Sequence, residues 1–159
     1  MMDNVNVIRT GFIAPDFTLP STDGNMVSIK DYLSSDFLAL CFFSGCDDVR
    51  IRSILSDLNG GLSPTESGYK FDFLAISPEK IHRLNNLKNS LGLTFPILSD
   101  ERMTVCRQYY VIDTESRSPA VHFSVFVIDE EFIVRYKISE LSISEFQIED
   151  FKKNISAII

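Results

Sequence analysis

Cysteine is the residue type in this sequence with the clearest capacity for chemistry, and it occurs three times, as Cys41, Cys46 and Cys106. Cys46 lies where an apolar run, Phe37 to Phe43, gives way to an amphipathic stretch. A junction between a buried strand and a helix places a thiol near the free N–H groups of the first helical turn. Because those groups stabilise negative charge, Cys46 is the candidate reactive thiol.

The charged residues after Cys46 act on its pKa in opposite directions. Asp47 and Asp48 place two negative charges beside a developing thiolate and raise its pKa by repulsion. Arg50 and Arg52 compensate in part. Two interpretations of Cys46 therefore stay open, a reactive thiol and an inert bystander.

The other two cysteines have structural interpretations. Cys41 is inside the apolar run, where cysteine is most often a small buried hydrophobe. Cys106 falls in a short predicted helix, and a packed small side chain is its default interpretation. An odd number of cysteines argues against a fixed disulfide framework, and the sequence has no CxxC, HExxH or EF-hand spacing. We therefore expect no metal site and no cofactor.

The composition indicates a folded domain and argues against some partners. A chain of 159 residues has one domain's length, and 45% hydrophobic residues suffice for a core. The net charge of −7 repels phosphate groups, so we expect neither nucleic-acid binding nor docking on a membrane. The longest apolar run is too short to span a bilayer, and the N-terminus shows no basic leader. We expect a cytoplasmic protein.

Strands and helices alternate in the first two thirds of the chain. The apolar run and Phe71–Ser77 are predicted as buried strands. Each is followed by an amphipathic helix, the first capped by Asp47 or Asp48 and the second running from Pro78 to Gly92. The apolar face of the first helix consists of Ile51, Ile54, Leu55 and Leu58. This order implies parallel strands.

The last third is predicted to add a hairpin and a closing helix. A short helix spans Met103–Tyr109, and the strands Phe123–Asp129 and Phe132–Lys137 form the hairpin, although the Glu-Glu between them is poor turn chemistry. The closing helix begins near Ser144, with a glutamine three residues later in capping-box spacing. We expect one α/β domain over residues 11–159, with a central mixed sheet flanked by helices, and a flexible arm over residues 1–10.

Several strings resemble one family, the peroxiredoxins of the alkyl hydroperoxide reductase C/thiol-specific antioxidant type, and especially their bacterioferritin-comigratory subgroup. In chain order the strings are Gly11–Pro20, Asp23-Gly24, Ala75–Pro78, Leu91–Asp100, Val105–Val111 and Phe126–Asp129. The resemblance covers about residues 11–137 and implies a thioredoxin-like fold with an N-terminal extension.

The resemblance also implies a reaction. It implies a thiol peroxidase that reduces hydrogen peroxide or alkyl hydroperoxides, with Cys46 as nucleophile and Ser44, Arg50 and the helix amides as local support. The sulfenic acid would be resolved by a second thiol, for which Cys106 is a candidate if its helix approached or unfolded. Thioredoxin or a small thiol would be the reductant, and a homodimer is common in the family.

The sequence departs from the family's motif at three positions. Ala39, Phe43 and Phe123 stand where the family has proline, threonine or serine, and arginine. The phase of the helix after Cys46 also differs, since it maps the site of the family's attacking cysteine to Asp47. Two alternatives therefore stay open. One is a non-catalytic binding module that keeps the fold, and the other is a thiol–disulfide oxidoreductase whose second cysteine has become Val49.

Overall fold

The apolar run predicted as a central strand is the middle strand of a five-stranded sheet. A computed structural model describes residues 8–32, 34–61, 69–114, 120–138 and 146–158 of the chain. The strands are β1 (Thr18–Pro20), β2 (Met26–Ser28), β3 (Phe37–Phe42), β4 (Phe71–Ser77), β5 (Ile97–Ser99), β6 (Ile112–Asp113), β7 (Ala120–Val121), β8 (Ser124–Asp129) and β9 (Val134–Ile138). The helices are a 3-10 helix (Ile29–Tyr32), α1 (Val49–Gly61), α2 (Ile81–Leu91), α3 (Thr104–Gln108) and α4 (Ile148–Ile158).

The main sheet is mixed, as predicted. Its strand order is β5-β4-β3-β8-β9, with β3, β4 and β5 parallel and β8 and β9 antiparallel to their neighbours. All six residues of β3 are buried, because a central strand is covered on both faces. Strands β1 and β2 form a separate antiparallel pair in the N-terminal extension, and β6 pairs with β7.

Alternation along β3 separates two hydrophobic clusters, one on each face of the sheet. The Cys46 face packs α1, α2 and α4 on the sheet through Leu55, Leu84 and Phe151. The Cys106 face packs α3 and the N-terminal extension through Val105 and Val27. The sheet therefore lies between the two clusters. Cys46 belongs to the cluster on one face, and Cys106 belongs to the cluster on the other.

Local side chains explain where the helices and the hairpin begin and end. Asp48 caps α1, since its Oδ1 accepts the backbone N–H groups of Arg50 at 2.8 Å and Ile51 at 3.4 Å. All four residues predicted on the apolar face of α1 are buried. In the β8–β9 turn, the Asp129 carboxylate accepts the N–H groups of Glu131 and Ile133, and Phe132 adopts φ 64°. Asp129 therefore supplies the turn chemistry that the Glu-Glu pair lacks.

Part of the N-terminal segment that was predicted as an arm packs on the domain. Ile8 is 7% exposed and its carbonyl accepts a 2.6 Å hydrogen bond from Lys137, so core packing extends into the segment predicted as an arm. The remainder of that arm, residues 1–7, lies outside the described residues, as does the predicted cap Ser144. Over the described ranges, no helix is long and apolar enough to cross a membrane.

Candidate active site

Cys46 lies on the loop that connects the end of β3 to α1. Gly45 adopts φ +93°, a left-handed conformation that lets the chain turn away from the sheet. Cys46 itself is 4% exposed and belongs to the cluster on its face of the sheet. The first helical residue of α1 is Val49, three residues later, and two N–H groups of its first turn are bonded to Asp48. Asp48, and not a Cys46 thiolate, therefore occupies the helix N-terminus.

The predicted supporting residues Ser44 and Arg50 have other partners. The Ser44 hydroxyl accepts the Val121 N–H at 3.0 Å and donates to the Val121 carbonyl at 3.4 Å, which ties the end of β3 to β7. Arg50 is largely exposed and pairs with Asp48 at 3.4 Å. Ser44 thus fixes the loop before Cys46, and Arg50 belongs to the cap of α1.

Two arginines and a glutamate surround Cys46 instead. Arg52 donates to the Cys46 carbonyl at 3.3 Å and to the Ser90 hydroxyl at 2.6 Å. Arg83 on α2 pairs with Glu79 at 3.1 Å and with Asp47 at 2.8 Å. Glu79 also accepts the N–H of Gly45 at 3.2 Å. A chain of charges, Glu79–Arg83–Asp47, therefore connects the start of α2 to the loop that carries the thiol.

These charges and burial set the pKa of the Cys46 thiol. Burial, together with the negative charges of Glu79 and then Asp47, raises the pKa of the Cys46 thiol to about 11. Arg83 and Arg52 act in the opposite direction without cancelling it. A thiol with that pKa is about 0.01% thiolate at pH 7, so in this conformation Cys46 is protonated at rest.

The other two cysteines are fully buried. Burial raises the pKa of Cys41 to about 12, as expected for a thiol inside a central strand. Cys106 on α3 lies in the cluster on the opposite face of the sheet from Cys46. Its backbone N–H donates to the buried Asp100 carboxylate at 2.8 Å, and burial and that carboxylate raise the pKa of its thiol. The structure does not bring Cys46 and Cys106 together.

The three positions that depart from the family's motif are parts of the core. Ala39 and Phe43 are fully buried in the Cys46 cluster. Phe123 is 3% exposed and packs edge-on against Phe146, with ring centroids 5.2 Å apart. Apolar side chains therefore occupy all three positions.

Cys46 should react with iodoacetamide about tenfold faster for each pH unit between 7 and 10, because only the thiolate attacks and its pKa is near 11. Glu79→Gln should shift this profile to lower pH, since it removes a negative charge while keeping an acceptor for Gly45. Mass spectrometry of the alkylated peptide measures both rates. Asp57→Asn, on the exposed side of α1, is the matched control and should leave the profile unchanged. A wild-type rate that levels off near pH 8 would contradict the high pKa.

Comparisons with known proteins show which family this chain resembles. The sequence profile of the AhpC/TSA family matches residues 10–137. A putative peroxiredoxin of Mycobacterium tuberculosis is 32% identical over 143 residues, which cover 82% of this chain and 84% of the relative. A putative peroxiredoxin of Coxiella burnetii is 30% identical over 138 residues, which cover 80% and 85%. The crystal structure of peroxidoxin BcpB from M. tuberculosis is similar with a TM-score of 0.81 at 22% identity, over 95% of this chain and 96% of that one.

Proposed function

The chain belongs to the AhpC/TSA family, in the bacterioferritin-comigratory branch of the peroxiredoxins, and from this premise we propose that it is a thiol peroxidase acting through Cys46. The observation that carries the proposal is the position of Cys46. It is the one cysteine of the three that lies on the loop between the central strand and α1, within the segment that the family matches. Cys41 and Cys106 are enclosed in β3 and α3.

The reaction is a transfer of one oxygen atom. The Cys46 thiolate attacks the distal oxygen of a hydroperoxide, an S–O bond forms, and the O–O bond breaks. The products are a cysteine sulfenic acid and an alkoxide or hydroxide, which takes up a proton. A thiol then displaces water from the sulfenic acid to give a mixed disulfide, and a second thiol releases Cys46. The family implies a hydroperoxide substrate and a thiol reductant in general.

The high pKa of the Cys46 thiol determines how much rate enhancement the rest of the site must provide. At pH 7 a free cysteine is about 3% thiolate, so Cys46 starts with about 300-fold less of the reactive form. A more basic thiolate is also more nucleophilic, and with a Brønsted slope near 0.45 this returns roughly a factor of ten. Positioning of the peroxide must therefore contribute more than about 30-fold before Cys46 exceeds a free cysteine.

Some finer parts of the proposal rest on the sequence. We propose thioredoxin or a small thiol as the reductant and Cys106 as a resolving thiol only if α3 separates from the sheet. All three cysteines are free thiols, which suits a reducing compartment such as the cytoplasm. A homodimer stays a prediction from the family.

One equivalent of hydrogen peroxide added to the reduced protein should convert Cys46 to a sulfenic acid faster than it oxidises free cysteine. The measurement is the intact mass, which gains one oxygen, together with the thiol count and peptide mapping. If Cys46 oxidises no faster than free cysteine, the peroxidase proposal fails. In that case a binding module that keeps the fold is the better description.

A further inference from the structure

Aromatic side chains belong to the same hydrophobic cluster as Cys46. Phe43, Phe123 and Phe146 are all buried in the Cys46 cluster, and the ring of Phe123 packs against that of Phe146. The loop hydroxyl of Ser44 is bonded to Val121.

A cavity of about 260 Å³ lies beside Cys46, between α1 and α2. It is lined by Cys46, Asp47, Arg52, Arg83, Asn86, Leu87 and Ser90. Two guanidinium groups, an amide and a hydroxyl provide hydrogen-bond donors that suit a carboxylate, and the volume is adequate for a small organic molecule. The lining thus combines the candidate thiol with groups that bind anions.

The ion pair between Asp47 and Arg83 at this cavity is one in which a ligand carboxylate could replace the aspartate. The Asp47 side chain is 89% exposed, and its 2.8 Å contact is with Arg83. Exposed pairs of this kind contribute little to stability. A carboxylate on a ligand can replace Asp47 on Arg83 while the more buried Glu79 keeps its own contact with the same guanidinium. An anion that binds to Arg83 therefore displaces an exposed aspartate and leaves the contact with Glu79 in place.

We propose that this cavity is the route by which reagents reach Cys46, and that it favours reagents carrying a carboxylate, which takes the place of Asp47 on Arg83. As a statement about substrates it rests on the proposed peroxidase function and names hydroperoxides that carry a carboxylate. As a statement about access to the thiol it does not depend on peroxidase activity.

Two alkylating reagents of nearly equal size test the access route. Iodoacetate carries a carboxylate and iodoacetamide a neutral amide, and both attack the same thiolate. The ratio of their rates at Cys46, divided by the ratio for free cysteine, cancels the fraction of thiolate and isolates the preference for charge. We expect this normalised ratio to exceed one by about tenfold at low ionic strength and to fall as salt is added.

Variants at the ion pair make the test specific. Asp47→Asn should raise the normalised ratio further, because it removes the competing carboxylate. Arg83→Gln should bring it to one or below, and Arg83→Lys should retain part of the preference because the charge remains. Asp57→Asn removes an acidic charge from α1 away from the cavity and should match the wild type. The readout is the mass of the Cys46 peptide at timed quenches.

The outcomes separate the two proposals. A normalised ratio at or below one in both the wild type and Asp47→Asn would overturn the access route. Para-carboxylated cumene hydroperoxide should likewise oxidise Cys46 faster than cumene hydroperoxide, and equal rates would overturn the substrate assignment. Hydrogen peroxide is small and neutral, so its failure to oxidise Cys46 would count against the peroxidase function while leaving the alkylation ratio as a measure of the route.

Discussion

Replacing Cys46 by serine should reduce peroxide consumption in the presence of a thiol reductant to the uncatalysed background. The hydroxyl of serine is far less acidic than a thiol and cannot form the sulfenic acid, so no later step can occur. Removal of a nucleophile typically costs several orders of magnitude in rate. Peroxide consumption is followed directly, and the urea midpoint of the variant checks that the fold is retained. Turnover that persists in Cys46→Ser would contradict the assignment of the nucleophile.

Cys106→Ser separates the first oxidation from its resolution. The serine hydroxyl can use the buried Asp100 carboxylate as its acceptor, which favours a folded variant. If Cys106 resolves, the wild type loses two hydrogens in mass after peroxide, and the variant accumulates the sulfenic acid instead. Because the two cysteines lie on opposite faces of the sheet, that disulfide would require α3 to leave the Cys106 cluster. Identical products from both proteins would exclude Cys106 as the resolving thiol.

The main elements of the fold could be predicted from local patterns. The continuous apolar run gave β3, the i, i+3, i+4, i+7 spacing gave the buried face of α1, and Gly92 gave the end of α2 in a left-handed conformation. These signals lie within a few residues of the element they determine. The family resemblance and the thioredoxin-like fold are confirmed, and the family profile matches residues 10–137.

The surroundings of Cys46 could not be predicted in the same way. Glu79 and Arg83 are spaced i, i+4 on one predicted helix, which indicates an ion pair but not that it meets the loop after β3. The packing of α2 against α1 brings them there, and that is a tertiary contact between distant segments. Arg50, the sequence choice, is close along the chain but points its charge at Asp48. Arg52, six residues after Cys46, does act on the thiol as predicted, whereas Arg83 reaches the Cys46 loop only through tertiary packing.

Two of the positions that depart from the family's motif contribute to packing of the hydrophobic core. Phe43 fills space on the Cys46 face, and Phe123 is held between the sheet and the ring of Phe146. A guanidinium at position 123 would need polar partners in this apolar cluster, and burying it without them is costly. Apolar packing at these positions therefore contributes to the core on the Cys46 face of the sheet.

Phe123→Ala should lower the free energy of unfolding by about 3–5 kcal/mol, because it empties a buried aromatic site and removes the edge-on contact with Phe146. Domains of this size are typically stable by about 5–15 kcal/mol, so the loss is a large share of the total. Urea unfolding gives the change from the midpoint at a common slope. Phe12→Ala is the matched control, since Phe12 is 48% exposed and its removal should change stability by about 0.5 kcal/mol or less. Equal urea midpoints for the two variants would contradict the contribution of Phe123 to the stability of the core.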